Sequence, residues 1–315
     1  MDNQGLLDYR QAVHESKSHE SRPFGLTDDE RFYFDLAGYT VVRGALTGVE
    51  VAHLNDVIER NRDQVVREEV NQSLPASLQS HAPRLGRQLL EGFLWLPSPD
   101  GDGFRDLLVH PAVVERLNEI CGPRFRLDSS PFMIEAEEGV DGDYFHGHGE
   151  PFAPSTGYYH RNGRMYANGV VALWALSDAD PGFGGFGLAV GSHKSKFSPP
   201  PSLKKASCGA HVIVQPELKA GDLLIFIGST THGTLAWRSA RPRRALLYKY
   251  SSRTTTRAAG EPFLPERVHG RDAARLSSIE RAVMYGPGDY YGEATQPRLT
   301  APELVSDGTS VRIVE

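Results

Sequence analysis

The chain has 315 residues, of which 39% are apolar and 9% aromatic, enough to bury a full core as one domain. Its formal charge of −6 and its lack of a Lys/Arg stripe exclude a surface built to track nucleic acid. No apolar run reaches the roughly 20 residues of a membrane span, and the polar start lacks a signal-peptide core, so a cytoplasmic protein with no membrane partner is expected. Cys121 and Cys208 lie far apart, which suits a reducing compartment where neither is needed as a disulfide.

In chain order, a polar segment over residues 1–26 precedes a single domain over 27–315. Its first part, 27–122, reads as helical. Thr27 and Glu30 have capping-box spacing, a short strand follows at 39–42, and Thr47 with Glu50 opens a second helix carrying Val51, Leu54, Val57 and Ile58 on one face. Residues 72–106 mix Gly and Pro signals and place no element. The next helix has Pro111 in its first turn, an apolar face of Val113, Val114, Leu117 and Ile120, and Gly122 just beyond its end.

From about 125 to 255 the texture changes to short apolar runs between Gly, Pro, Asn and Asp. Strands are expected at 125–128, 131–136, 143–148, 169–176, 186–190, 210–215, 222–227 and 244–251. Strands this short and closely spaced, with no helical period between them, predict a mainly β fold with flanking helices, a double-stranded β-helix of the cupin-like jelly-roll type. The C-terminal extension, 256–315, is polar, with a helical stretch at 276–284 and a tail without a predicted element.

The segment FHGHGEP at 145–151 carries the chemistry. On a strand, side chains at i, i+2 and i+4 share a face, so His146, His148 and Glu150 would converge on one point. Two such ligands with one intervening residue, plus the distant His232, have the sequence form of the two-histidine, one-carboxylate facial triad that holds Fe(II) and leaves positions open. His232 follows the apolar run 222–227 and is expected at a strand end or loop mouth, where functional residues concentrate. Arg243 opens the next apolar run, and its guanidinium has the fork geometry that pairs with a carboxylate, although Arg238, Arg241 and Arg244 lie nearby.

Four segments in order, FDLAGYTVVRGALTGVEVAHLNDVI, FHGHGEP, ALWALSDADPGFGGFGLAVGSHKSKFSPP and AGDLLIFIGSTTHGTLAWRSARPRRALLYKY, make the chain resemble the phytanoyl-CoA dioxygenase family of Fe(II)/2-oxoglutarate oxygenases over roughly residues 31–255. The resemblance implies Fe(II) and 2-oxoglutarate as cofactors, with O2 and a small-molecule substrate. It puts the distal metal ligand at His232 and the 2-oxoglutarate arginine at Arg243. Thr234 matches a hydroxyl that helps hold the cosubstrate's far carboxylate, and Trp174 matches an aromatic lining the same cavity, where a core tryptophan is an equal physical reading. His193, in the family's Gly-Ser-His-Lys turn, reads as a structural histidine.

The proximal motif departs from the family's His-x-Asp. Either His148 and Glu150 bind with His232, which an anionic oxygen ligand for Fe(II) favours, or His146 is the family histidine with His148 at the following ligand position. Relatives that halogenate lack the carboxylate, so the choice touches reaction type. The resemblance implies hydroxylation or another oxidation of a small metabolite, with decarboxylation of 2-oxoglutarate to succinate. A halogenase and a non-catalytic cupin-like binding protein stay open alternatives. No basic cluster suits the phosphates of coenzyme A, and residues 151–169, rich in Tyr, Asn, Gly and Arg, read as a substrate rim.

Overall fold

Two capping boxes start the first two long helices in the computed structural model, which describes residues 25–68, 88–147, 149, 152–205, 211–255, 270–286 and 302–314. Helix α1, Asp28–Ala37, begins where the Thr27 hydroxyl accepts from the Glu30 amide at 3.1 Å and the Glu30 carboxylate accepts from the Thr27 amide at 3.0 Å. It stops at Gly38, whose φ of 83° is left-handed. Strand β1, Tyr39–Val42, follows. Helix α2, Gly48–Arg60, has the same box at Thr47 and Glu50 and buries Val51, Leu54, Val57 and Ile58. Short turns α3, Arg62–Val65, and α4, Asp102–Asp106, lead to α5, Pro111–Ile120, which buries Val113, Val114, Leu117 and Ile120. Cys121 caps α5 as a buried thiol whose pKa burial pushes far up, as expected of a core residue; Cys208 lies outside the described residues.

The β part consists of β2, Val66–Glu68, β3, Gln88–Glu91, β4, Arg126–Ala136, β5, Tyr158–Arg161, β6, Arg164–Ala167, and β7, Val170–Ala175. It continues with β8, Gly185–Ala189, β9, Ile213–Val214, β10, Leu223–Ile227, β11, His232–Leu235, and β12, Arg243–Ser251. A seven-stranded sheet runs β1-β10-β7-β12-β4-β3-β2, and a three-stranded sheet runs β11-β8-β9. All their pairings are antiparallel. The period of two gives the large sheet two buried faces. Trp174, Ile225, Leu246, Tyr248 and Tyr250 pack under the helices. Leu173, Phe226, Ala245 and Leu247 face Phe186 and Leu188 of the small sheet. This is the expected mainly β jelly roll with helices against one face.

Several elements differ from their predicted form. The strands expected at 125–128 and 131–136 are one strand, β4, which passes Pro131 by shifting register against β12 between Leu247 and Tyr250. Proline cannot donate to a ladder, and a bulge there absorbs it. The rim segment contains the hairpin β5–β6, whose turn residues Asn162 and Gly163 have φ of 52° and 74°. Asn-Gly with two positive φ angles is the tight-hairpin signal. The C-terminal part holds α6, Ser278–Ala282, and a further hairpin, β13, Glu303–Ser306, with β14, Val311–Val314. No helix among the described residues is long and apolar enough to cross a membrane.

Behind the cavity described below, Glu135 accepts from Arg244 Nε at 2.7 Å and from Arg62 Nη1 at 2.9 Å, while Arg244 also reaches Asn55 and Glu59. This cluster ties α2 and α3 to the end of β4 and β12 where Glu135 and Arg244 pair. His193 ties another corner. Its Nε2–H donates to the Asp35 carbonyl at 3.0 Å, joining the turn after β8 to α1, and it is 2% exposed.

Burial lowers the His193 pKa from 6.5 to about 4, so the folded state resists a proton that the unfolded chain accepts. Its contribution to stability is therefore full above about pH 6.5 and is lost as pH falls toward 4. Urea unfolding at pH 7.5 and pH 5 is expected to show lower stability at pH 5, with a smaller difference in His193→Gln. An equal difference in both proteins would remove His193 as the source.

Candidate functional site

Between the two sheets lies a cavity of about 240 Å3 whose walls include Phe132, Leu173, Phe186 and Phe226 and whose polar lining includes His146, His232, Thr234 and Arg243. His232 is the first residue of β11 rather than part of a loop, and its backbone is held from both sides. On one side it pairs with Leu188 of β8. On the other, His146 N donates to His232 O at 2.8 Å and His232 N donates to His146 O at 2.7 Å. Residues that exchange both backbone bonds put their side chains on the same face. The two imidazole centroids are accordingly 4.2 Å apart.

The tautomers suit metal ligation. His232 Nδ1 lies 2.6 Å from the Thr230 carbonyl and His146 Nδ1 lies 3.3 Å from the Tyr144 carbonyl. A carbonyl there fixes the proton on Nδ1 and keeps the lone pair on Nε2, the arrangement that orients a metal-binding histidine. Two imidazoles presented in this way form part of a donor set suited to a divalent transition metal. Among the described residues no group of three His, Cys, Asp or Glu side chains completes a metal site. His148 and Glu150 lie outside the described residues.

Of the strand expected at 143–148, the described residues 143–147 form the single bridge at His146, because the backbone turns at the next residue. Gly147 has φ +85°, and a Cβ there would lie 2.6 Å from the Thr230 carbonyl oxygen and 2.7 Å from that of Gly228. Only glycine fits that conformation and that approach. Strand geometry therefore ends at Gly147 among the described residues, and the expected convergence with His148 and Glu150 falls outside them. Thr231 holds this turn from the side, its hydroxyl donating to the Gly147 carbonyl at 2.8 Å.

Thr234 shares the His232 face of β11, two residues along. Arg243 opens β12 and is 3% exposed. Room for it is made by Gly185, with φ +90°, where a Cβ would stand 3.0 Å from Arg243 Nε. Arg244 points the other way, into the Glu135 cluster, so strand register separates two arginines that sequence alone leaves equivalent. Trp174 is not brought to the cavity. Leu173 lines it, whereas Trp174 packs on the helix side, fully buried and edge-on to His110 at 5.0 Å. Asp143 and Lys249 also line the cavity without having been singled out in the sequence. Lys249 was open to detection, since Arg243, Ala245, Leu247 and Lys249 fall on alternate positions.

The profile of the phytanoyl-CoA dioxygenase family matches residues 34–245. No curated protein sequence matches the chain. Among solved structures, HygX from Streptomyces hygroscopicus with nickel and 2-oxoglutarate bound is similar at 21% identity and a TM-score of 0.58, covering 74% of this chain and 89% of that one. The 2-oxoglutarate-dependent epimerase SnoN from nogalamycin biosynthesis is similar at 19% identity and a TM-score of 0.52, covering 72% and 83%. EctD from S. alaskensis with 2-oxoglutarate and 5-hydroxyectoine is similar at 17% identity and a TM-score of 0.53, covering 77% and 81%. At these identities the likeness is one of fold.

Because Trp174 supports the helix side of the sheet, Trp174→Phe is expected to cost about 1–2 kcal/mol of stability through the cavity it leaves. Binding of 2-oxoglutarate to the nickel-loaded protein is expected to stay within about twofold of wild type, as nothing facing the cavity changes. A large loss of 2-oxoglutarate affinity at unchanged stability would put Trp174 back among the cosubstrate contacts.

Proposed function

The chain belongs to the phytanoyl-CoA dioxygenase family, and from that premise we propose that it is an Fe(II)- and 2-oxoglutarate-dependent dioxygenase that oxidises a small metabolite, with His146 and His232 as its histidine metal ligands. The observation that carries this reading is the side-by-side placement of the two imidazoles, each with Nδ1 on a backbone carbonyl. The third ligand comes from the residues that follow Gly147. Of His148 and Glu150, the anionic oxygen of Glu150 suits Fe(II) better than a third imidazole does.

Bound iron supplies the oxidising chemistry, activating O2 at the expense of 2-oxoglutarate, which leaves as succinate and carbon dioxide. The chain's own residues orient the reactants and exclude water. Arg243, buried at one end of the cavity, offers a planar two-pronged donor to the far carboxylate of 2-oxoglutarate. The Thr234 hydroxyl lies on the same strand face as His232, on the way to Arg243, and adds a further donor to that carboxylate. Phe186 and Phe226 close the walls beside His232, at ring distances of 6.0 and 4.7 Å, and keep the surroundings dry. A small-metabolite substrate accords with the molecules named in similar structures, hygromycin B with HygX and nogalamycin RO with SnoN.

Arg243 and Arg244 separate the cosubstrate role from fold maintenance. Removing a partly desolvated arginine from its carboxylate costs about 2–5 kcal/mol. Arg243→Ala is therefore expected to weaken 2-oxoglutarate binding by roughly one to three decades. Arg244→Ala is expected to lower the melting temperature and leave that affinity near wild type. Calorimetric titration of both variants checks this, and the reverse order would exclude Arg243 as the anchor.

The proximal ligand is read by metal titration without turnover. Glu150→Ala is expected to reduce Fe(II) or Ni(II) affinity by about tenfold or more, and His148→Ala by clearly less. If His148→Ala proves the more damaging, the third ligand is an imidazole.

A further inference from the structure

The 240 Å3 between the sheets is already below the roughly 300–1,000 Å3 of ordinary ligand sites, and on the function proposed above 2-oxoglutarate has to fit there. A substrate needs room beyond it. A second cavity, of about 870 Å3, lies against the proximal motif, with Gly149 in its lining. Three residues of chain span at most about 11 Å, so Gly149 stands within that distance of His146. The segment is pressed into place there. A Cβ on Gly149 would lie 2.5 Å from the His193 carbonyl oxygen and 2.8 Å from that of Ser195, in the turn after β8.

Asp35 of α1 joins the walls of this cavity. Its carboxylate accepts from the Tyr158 hydroxyl of β5 and from Lys194 Nζ at 2.7 Å, so helix, hairpin and turn are fixed to one another. Large rings stand around the cavity on α1, on β5 and just after the proximal motif: Phe32 is 63% exposed, Tyr159 45% and Phe152 48%. Exposed rings gathered at one cavity mark a binding surface. Tyr159 is also oriented in advance, stacked on Tyr166 at 4.8 Å and 5°, with Phe152 edge-on to it at 6.3 Å.

The Lys, Arg, Asp and Glu charges of the lining cancel. Among the described residues, Asp28, Asp35 and Glu119 stand with Arg31, Lys194 and Lys196, beside the His160 imidazole. Arg31 bonds to Glu119 and, at 2.6 Å, to Asp28, as Lys194 does to Asp35. A charged ligand would meet a like charge beside each of these opposite ones, which favours an uncharged ligand. A saturated ring with hydroxyls on its rim can lay its C–H face on a tyrosine and offer each hydroxyl as donor or acceptor to the paired groups, replacing the water they lose. A plain aromatic ring covers the same faces and leaves those groups without that replacement. We propose that this cavity seats the substrate, and that the substrate carries an uncharged polyhydroxylated ring, a sugar or a cyclitol, packed on Tyr159 and Phe152. The proposal rests on the function proposed above and names the substrate class for it.

The test uses the full-length protein with methyl glucoside, methyl galactoside, methyl mannoside and myo-inositol as hydroxylated probes and phenol as the aromatic one, affinities being read by ligand-observed NMR. At least one hydroxylated probe is expected to bind wild type more tightly than phenol does. Tyr159→Ala and Phe152→Ala are each expected to weaken that probe by about threefold or more, the worth of a ring contact. Tyr159→Phe, which keeps the ring, and Phe183→Ala, which removes an exposed ring outside the cavity, are expected to stay within about twofold of wild type. With 2-oxoglutarate present, Mn(II) is expected to relax the bound probe's protons more than Zn(II) does, as for a ligand near the histidines. A wild type that binds none of the four hydroxylated probes or prefers phenol overturns the proposal. So does a Tyr159→Ala protein that binds like wild type, or a probe relaxed alike by the two metals. Failure of the underlying function shows separately, as a wild-type protein that does not bind 2-oxoglutarate in the presence of either metal.

Discussion

The double backbone exchange between His146 and His232 is the constraint on which the site depends. His232 is already fixed in the small sheet by its pairing with Leu188. The exchange extends that rigidity to a described segment that forms no strand of its own and places two imidazoles side by side, tilted by 54°. Its neighbours serve the same end. Gly147 lets the chain turn against the Thr230 and Gly228 carbonyls, Thr231 holds the turn through the Gly147 carbonyl, and the Ser192 hydroxyl accepts from the Thr231 amide at 2.7 Å. A histidine pair held by backbone hydrogen bonds is positioned in advance, which would reduce the ordering cost of binding a metal there.

Strand alternation then distributes the charges. On β12, odd-numbered Arg243, Leu247 and Lys249 line the cavity, and Arg244 joins Glu135, Arg62, Asn55 and Glu59 on the helix side. One strand therefore places two cations, Arg243 and Lys249, along the cavity. An arginine that clamps the strand edge to the helical layer stands between them in sequence. Shifting this strand by one residue would exchange the cavity-facing and the helix-facing arginine, so the buried cluster around Glu135 also protects the register of the cavity lining.

Much of this was legible in the sequence where a local rule acts alone. Both capping boxes, the strand at 39–42 and the Pro111 helix depend on residues within a few positions of one another, and each formed where those residues predicted it. The family resemblance and the jelly roll were legible for a different reason, because ordered segments spread over most of the chain carry them. What was not legible depended on contacts distant in sequence. Alternation from His146 to Glu150 presumed an extended backbone, and the left-handed turn at Gly147 is dictated by carbonyls some eighty residues away. Trp174 could have faced either side of β7 until the helices were placed over one of them. The choice of which of Arg243 and Arg244 faces the cavity needed the register of β12, whereas the Asn162-Gly163 hairpin signal lies within the segment whose composition reads as a substrate rim.

The central claim is that His146 and His232 hold one metal ion between them, and a Co(II) titration followed by paramagnetic NMR tests it most directly. Two strongly shifted exchangeable imidazole N–H resonances are predicted in wild type, one from each Nδ1–H that faces a carbonyl. His146→Ala and His232→Ala should each remove one of them and weaken Co(II) binding by about tenfold or more. A His146→Ala protein that keeps both resonances and wild-type metal affinity would contradict the account.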